Sequence, residues 1–508
     1  MKKGAELSNL RWPLTLPARP WPKTWPRLAF SASAAVNAFL LVAITVLSLA
    51  GSTDPDFWWH LKTGELIVQS GRVPQVDPYS FTAAGQRWIA HEWLSEALIY
   101  LGYRAVGYVG LAVMFGLVLA FTFLIILRLL ERLGLSLLAR TALALYSLGM
   151  YLPLITVRPQ LISWLLFAVY LYCLFLYLEG LASQIWILVP LMALWANLHG
   201  GYVAGLMLIA LAWASLLFRR LRGQTTPSLK HLAFVGIGSG IAALFTPHGL
   251  DLLRYPFTYV GTSNGSMTFI QEWQSPNFHS PLWLLFAGSL LLLVVLGVGG
   301  SESDPWSAVL ITTLAVMTLL SRRHVALYAL AWVPVAGLSL RRVWGFARAW
   351  PTRPLSTPVT LLSIIALVVF AGSLTRFVVN RPWSQIGVTP QVRGTCAYPA
   401  DGARYILENL PDARVLNEYA WGGYLIWAWY PYQRVFIDGR ADMHGDAFLQ
   451  EYMDVRQCRP NWRAILDKYE VNAALVEKGS PLSVLLSESR DWERVFVGPV
   501  EEIFVRRE

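Results

Sequence analysis

Asp54 and Asp56 flank Pro55 where a long apolar run ends, and the same loop goes on to supply His60, His91 and Glu92. A carboxylate beside hydrocarbon is partly desolvated, which raises its basicity unless a cation compensates. Either aspartate is therefore a candidate general base for a hydroxyl, and His91 and Glu92 could position that hydroxyl or hold a divalent ion. Cations occur elsewhere in short turns. Arg158 precedes Pro159, and Arg322, Arg323 and His324 are consecutive. Guanidinium groups grip phosphate oxygens as a fork, so these turns are candidates for a phosphate site. NLHGG places His199 before two glycines, while TPHGLDLLRYPF and the following QEW supply His248, Asp251, Arg254 and Glu272. Structural roles compete at several positions: a helix cap for Asp54 or Asp56, a turn for Asp77-Pro78, a solvated helix face for His91-Glu92. Trp58, Trp59, Trp88 and Trp93 suit a headgroup zone, where indole rings are favoured.

The elements that must position these groups are mostly membrane spans. The chain has 508 residues, 55% hydrophobic and only 14% charged. Apolar segments of spanning length recur at 29–50, 108–128, 137–153, 159–178, 184–199, 200–218, 231–246, 281–299, 306–321, 324–340 and 357–377, about eleven in all. The stretch 184–218 reads as a hairpin or one broken helix. Residues 1–28 are basic and Pro/Trp-rich, and read as a cytoplasmic segment before an uncleaved anchor. With that start inside, three arginine-rich loops fall on the cytoplasmic side: Arg128/Arg132/Arg140, Arg219 to Lys230, and Arg341 to Arg353. The same parity sends loop 51–107, Arg158, His199, the loop 247–280 and the Arg322–His324 turn to the opposite side. The groups with chemical potential are thus expected to converge on one face of a polytopic α-helical protein, whose transmembrane part spans 29–379.

Loop 51–107 is too long for a simple connector and needs its own structure. RWIAHEWLSEALIYLGYRAVG has helical apolar spacing and predicts an amphipathic interfacial helix, with ELIVQSG a shorter one. Residues 380–508 alternate helix and strand patterns, which predicts a small extracytoplasmic α/β domain. Within it RVFIDG reads as a strand ending at Asp438-Gly439-Arg440, either a ligand-binding strand end or a turn with an internal Asp–Arg pair. Cys396 and Cys458 would meet oxidant there, and whether they pair is left open by the spacing. The charge of +10 does not point to nucleic acid, because the basic residues lie mainly beside spans.

Together, the many spans, the long first loop opening on Asp54 and Asp56, the run DPYSFTAAGQRWIAHEWL and the soluble tail resemble the GT-C superfamily of membrane glycosyltransferases, in particular a bacterial group described only by that general activity. The resemblance implies a polyprenyl-phosphate-linked sugar as donor and a first-loop acid, here Asp54 or Asp56, as the catalytic group. It also implies a glycan, lipid or protein acceptor outside the cytoplasmic membrane. Asp-Pro-Asp resembles an Asp-x-Asp metal motif too, so a divalent ion at Asp54, Asp56, His91 or Glu92 is a possible cofactor. The residues themselves agree on one point: no nucleotide-sugar pool exists outside the cytoplasmic membrane, so a sugar must arrive activated, and lipid phosphate is a suitable leaving group. His60, His91, Glu92, Arg158, His199, His248, Glu272, Arg322, Arg323 and His324 are then the expected substrate-binding set. Three other functions fit parts of the pattern. A flippase for the same lipids would carry ionisable groups near mid-membrane. A haem-handling protein would use outer histidines and tryptophans, and a non-catalytic binding subunit would use the tail as a partner surface.

Overall fold

The computed structural model describes residues 32–49, 54–256, 270–297, 304–344 and 398–507, plus isolated helical positions between 365 and 376. Residues 1–28, Cys396 and most of the expected span 357–377 lie outside the described residues, so the Cys396–Cys458 question does too.

The described helices are α1 (Ala32–Leu49), α2 (Phe57–Ser70), α3 (Trp93–Arg132), α4 (Leu137–Tyr151), α5 (Gln160–Leu178), α6 (Leu188–Leu198), α7 (Tyr202–Leu221), α8 (Leu229–Ala242), α9 (Leu250–Arg254), α10 (Pro281–Val295), α11 (Pro305–Leu320) and α12 (Val325–Trp344). Four stretches are long and apolar enough to cross a membrane: Trp93–Arg132, Gln160–Leu178, Tyr202–Leu221 and Arg322–Val343. Helix starts carry the expected signals. Ser136, Ser228 and Asp304 each accept a backbone N–H from the first turn of α4, α8 and α11, and prolines open α10 and α11. The 184–218 stretch is two helices parted at His199–Gly201. Inside α3, Gly107 sits at φ 66° and ψ −175°, dividing an initial segment from the long apolar one.

The helices share a polarity. At the start of α1 and α4, Arg140 donates to Ser33 Oγ at 2.6 Å and pairs with Glu131 at 3.3 Å. Arg341 near the end of α12 donates to the Leu133 carbonyl beside them. At the opposite ends of α1, α4 and α12 lie Asp54, Arg158 and Arg322. The arginine-rich loops and the polar turns thus separate to two ends of the bundle.

The first loop departs from the expected pair of interfacial helices. α2 begins earlier than ELIVQSG, and residues 88–92 are not helical. Trp58, Trp59 and Trp88 are buried rather than presented to headgroups. What covers them is the tail: Trp58 packs edge-on to Tyr398 and Tyr424, at 6.0 and 5.6 Å between centroids. A local reading of tryptophan preference could not anticipate a partner more than three hundred residues away.

Residues 398–507 build a four-stranded sheet of β1 (Val415–Asn417), β2 (Ala473–Glu477), β3 (Trp492–Val497) and β4 (Glu501–Arg506), in the order β1-β2-β4-β3. β1 and β2 are parallel; β2–β4 and β3–β4 are antiparallel. Helices Ala400–Asn409, Gly422–Trp429, Asp446–Arg456, Trp462–Lys468 and Pro481–Glu488 pack around it. RVFIDG is not a strand of this sheet. Its backbone groups go instead to the first loop, Val435 N to Tyr79 O at 3.0 Å and Phe81 N to Val435 O at 3.1 Å, and to the side chain of Asn417, which accepts from Phe436 N at 2.8 Å. The apolar β-branched run was a correct sign of burial and a wrong sign of sheet.

Candidate active site

Asp54 turns the chain into α2. Its Oδ1 accepts the Asp56 backbone N–H at 2.9 Å, and its Oδ2 accepts from Thr156 Oγ1 at 3.1 Å. Asp56 stands at the N-cap of α2 but makes no side-chain cap bond there. Its Oδ1 accepts from the Trp59 indole at 3.0 Å, and its Oδ2 from Arg158. Arg158 is the hub: Nε lies 3.2 Å from Asp54 Oδ2, Nη2 binds Asp56, and Nη1 lies 2.8 Å from Glu272 Oε1.

Three carboxylates on one guanidinium leave the cluster short of positive charge, and burial decides where the deficit falls. Glu272 keeps 44% of its side chain exposed, and Arg158 holds its carboxyl below the usual range. Asp56 is pushed up to about 7 by burial; Arg158 opposes the rise and the Asp54 charge adds to it. Burial raises Asp54 as well. The two aspartates differ in access, with 8% of the Asp54 side chain exposed against 18% for Asp56. Asp56 is the more accessible of the two. Arg158 also occupies the space an ion bridging Asp54 and Asp56 would need, so the Asp-x-Asp metal motif does not fit this pair.

A second cluster lies beside the first. His60, on the first turn of α2, sits between Glu92 and Glu96: Nε2 is 3.4 Å from Glu92 Oε2 and Nδ1 is 3.2 Å from Glu96 Oε1. Four-residue spacing puts both glutamates on one face at the start of α3, and that face meets α2 at very close range. A Cβ on Gly64 would come within 2.0 Å of the Glu96 carbonyl oxygen. His199 joins through Nε2, 3.1 Å from Glu92 Oε1, and His91 Nε2 lies 3.6 Å from the same oxygen. Burial, with Arg158 nearby, keeps His60 well below its ordinary value and therefore neutral; burial does the same to His199.

Arg322 and Arg323 flank the Glu272 turn. Arg322 N donates to Gln274 O at 3.0 Å and Ser321 Oγ to Glu272 O at 3.1 Å, which staples the two turns together. Arg322 Nη2 donates to Gln271 Oε1 at 3.3 Å, and Arg323 is exposed, its guanidinium 4.1 Å from the Trp273 ring centroid. Among the described residues neither guanidinium makes an ion pair, although both lie near enough to Glu272 to help Arg158 hold its carboxyl below the usual range.

No family model and no curated protein matches the chain. Solved structures do. The apo oligosaccharyltransferase of Archaeoglobus fulgidus superposes with a TM-score of 0.58 at 12% identity, over 88% of this chain and 70% of that one. The same organism's oligosaccharyltransferase AglB, in complex with an inhibitory peptide and a dolichol-phosphate, gives 0.55 at 12% identity over 87% and 69%. ArnT from Cupriavidus metallidurans bound to undecaprenyl phosphate gives 0.50 at 14% identity, over 92% and 97%. These neighbours share the GT-C fold, and two of the three were solved with a polyprenyl phosphate bound. The chain has the GT-C fold.

On this GT-C scaffold, eight of the ten expected substrate-binding residues gather around the two clusters or on their rim: His60, His91, Glu92, Arg158, His199, Glu272, Arg322 and Arg323. Arg158 was expected to hold phosphate and is instead committed to carboxylates. His248 and His324 are set aside. His248 Nε2 meets the Ala90 carbonyl at 3.3 Å, and His324 Nδ1 faces the Met317 and Ser321 carbonyls at 3.2 Å each. Both tie backbone segments together. Sequence reasoning missed Glu96, whose signal was its spacing from Glu92. It also missed Thr156, which carries no local signal, and it singled out Asp438-Gly439-Arg440 without linking Gly439 to Asp56.

Gly439 reaches the site from the tail. A Cβ there would lie 2.0 Å from Asp56 Oδ1. The obstructed atom is the far end of a side chain, so Gly439→Ala is expected to displace the Asp56 carboxyl while the fold survives. The expected result is an unchanged unfolding midpoint with most turnover lost. Wild-type turnover in this variant would show that Asp56 is not held by this contact.

Proposed function

We propose that this chain is a glycosyltransferase that moves a sugar from a polyprenyl-phosphate donor to a glycan, lipid or protein acceptor outside the cytoplasmic membrane. The observation that carries the reading is the pairing of a buried, near-neutral carboxyl at Asp56 with the uncommitted guanidiniums of Arg322 and Arg323, around one Glu272 turn. Asp56 takes the acceptor proton as the hydroxyl oxygen attacks the anomeric carbon, and the bond to phosphate breaks in the same inverting displacement. Arg322 and Arg323 neutralise the charge that develops on the departing phosphate. Asp54, Arg158 and Glu272 hold Asp56 in place. His60, His91, Glu92 and His199 border the acceptor side. In this reading about eleven spans cross a bacterial cytoplasmic membrane, residues 1–28 lie inside, and residues 380–508 form an extracytoplasmic α/β domain. The polarity of the bundle, with arginine-rich turns at one end and the acid–guanidinium site at the other, supports that orientation.

The test is turnover by purified protein in lipid. Incubation with a polyprenyl-phosphate sugar and envelope acceptors is expected to release free polyprenyl phosphate. Movement of the intact donor across a bilayer with no release would instead establish a flippase. Arg322→Gln and Arg323→Gln together should weaken donor binding. Each removes a charge-assisted contact of about 1.5–3 kcal/mol, so roughly tenfold or more per residue is expected. Unchanged donor affinity would exclude both from the phosphate site.

A further inference from the structure

The second cluster leaves a buried carboxyl oxygen of Glu96 without a partner. His91 Nδ1 donates to the Ile89 carbonyl at 3.2 Å, and its Nε2 lies 3.6 Å from Glu92 Oε1. His60 contacts a carboxylate oxygen through each ring nitrogen, yet a neutral imidazole has one hydrogen to give. Glu96 is 1% exposed, and its Oε2 has no hydrogen-bond partner. Leaving such a group unsatisfied is costly. His199 is different. Its Nδ1 accepts the Gly201 N–H at 2.7 Å, so its hydrogen is on Nε2, directed at Glu92 Oε1. It orients a carboxylate and is not itself a ligand.

We propose that His60, Glu92 and Glu96 form a binding site for a divalent transition-metal ion of the zinc type. One ligand atom from each of His60, Glu92 and Glu96 lies within 4.8 Å of the others. Mixed imidazole and carboxylate donors suit zinc, with bonds of about 2.0–2.2 Å. A dication between the two glutamates gives Glu96 Oε2 a partner. His199 supplies an outer contact that orients Glu92. The ion would pin α2 to the start of α3, and so fix Trp59 and the Asp56 carboxyl it holds.

This site does not depend on the glycosyl-transfer reading, because its readout is metal content. Full-length protein purified without chelator is expected to contain about one zinc per chain by mass spectrometry of the elements. After chelation, zinc should rebind saturably, and cobalt(II) should give the visible bands of a low-coordinate site. Glu96→Gln and His60→Gln should abolish binding. His199→Gln should weaken it by about 10–100-fold, and Asp56→Asn should retain it. Wild-type protein that neither contains nor rebinds zinc or cobalt overturns the proposal. So does an ion kept by Glu96→Gln and lost with Asp56→Asn, which would put it on the aspartate pair.

Discussion

Asp56→Asn is expected to lower turnover by about 10²–10⁴, the range a positioned general base supplies, with donor affinity at the wild-type value. The asparagine keeps the shape and can still accept from the Trp59 indole, which holds the side chain now; what it loses is the capacity to take a proton. The wild-type pH profile gives an independent check. The base must be unprotonated, and the Asp56 carboxyl titrates at about 7. Turnover should therefore fall about tenfold per pH unit below that point and level off above it. Asp54→Asn removes one of the charges that raises Asp56, so in that variant the limb should move to lower pH with the plateau retained. Full turnover in Asp56→Asn, or a limb that stays in place when Asp54 is neutralised, would remove Asp56 as the base.

The second large effect is expected at Arg440, where the tail plugs into the first loop. The guanidinium is buried, with Nη2 2.8 Å from Asp77 Oδ1 and 2.7 Å from Asp438 Oδ2. It lies over the Trp88 and Tyr79 rings, 4.6 and 5.0 Å from their centroids. Against the burial that would raise it, Arg440 holds the Asp438 carboxyl far below the usual range. Arg440→Leu strands two carboxylates without a cation, and breaking a buried pair in this way costs about 3–5 kcal/mol. The unfolding midpoint in detergent should drop accordingly. Adding Asp77→Asn and Asp438→Asn should restore much of the loss, because the penalty comes from unpaired charge. An unchanged midpoint in the single variant would mean that the tail is held by its aromatic contacts alone.

How much of this was legible in the chain depends on the range of the forces involved. Helix positions follow from apolar length and from local caps such as Ser136 and Asp304, so they could be read directly. The gathering of Asp54, Arg158, His199, Glu272 and Arg322 at one end followed from loop parity, which needs no tertiary information. Partners did not follow. Arg158 read as a phosphate group because an arginine in a turn shows its charge but not its counter-ions, and Asp54 and Asp56 are more than a hundred residues away from it. The tryptophans of the first loop read as membrane anchors because the rings of Tyr398 and Tyr424 that bury Trp58 are remote. Asp77 was correctly read as a turn residue, its carboxylate accepting from Tyr79 N at 3.1 Å and Ser80 N at 3.0 Å. Its second role, as counter-ion to Arg440, was invisible.

The long reach between Thr82 Oγ1 and the Phe436 carbonyl, 354 residues apart, sets an order of events during synthesis. At about 5–20 residues per second the ribosome needs roughly 20–70 s to cover that distance. Through that interval the opening loop sits in place with Asp77 lacking its counter-ion and Asp56 lacking the Gly439 backbone that abuts it. A chain interrupted before this point would lack both contacts, so completion of the Asp56 surroundings waits on residues 436–440.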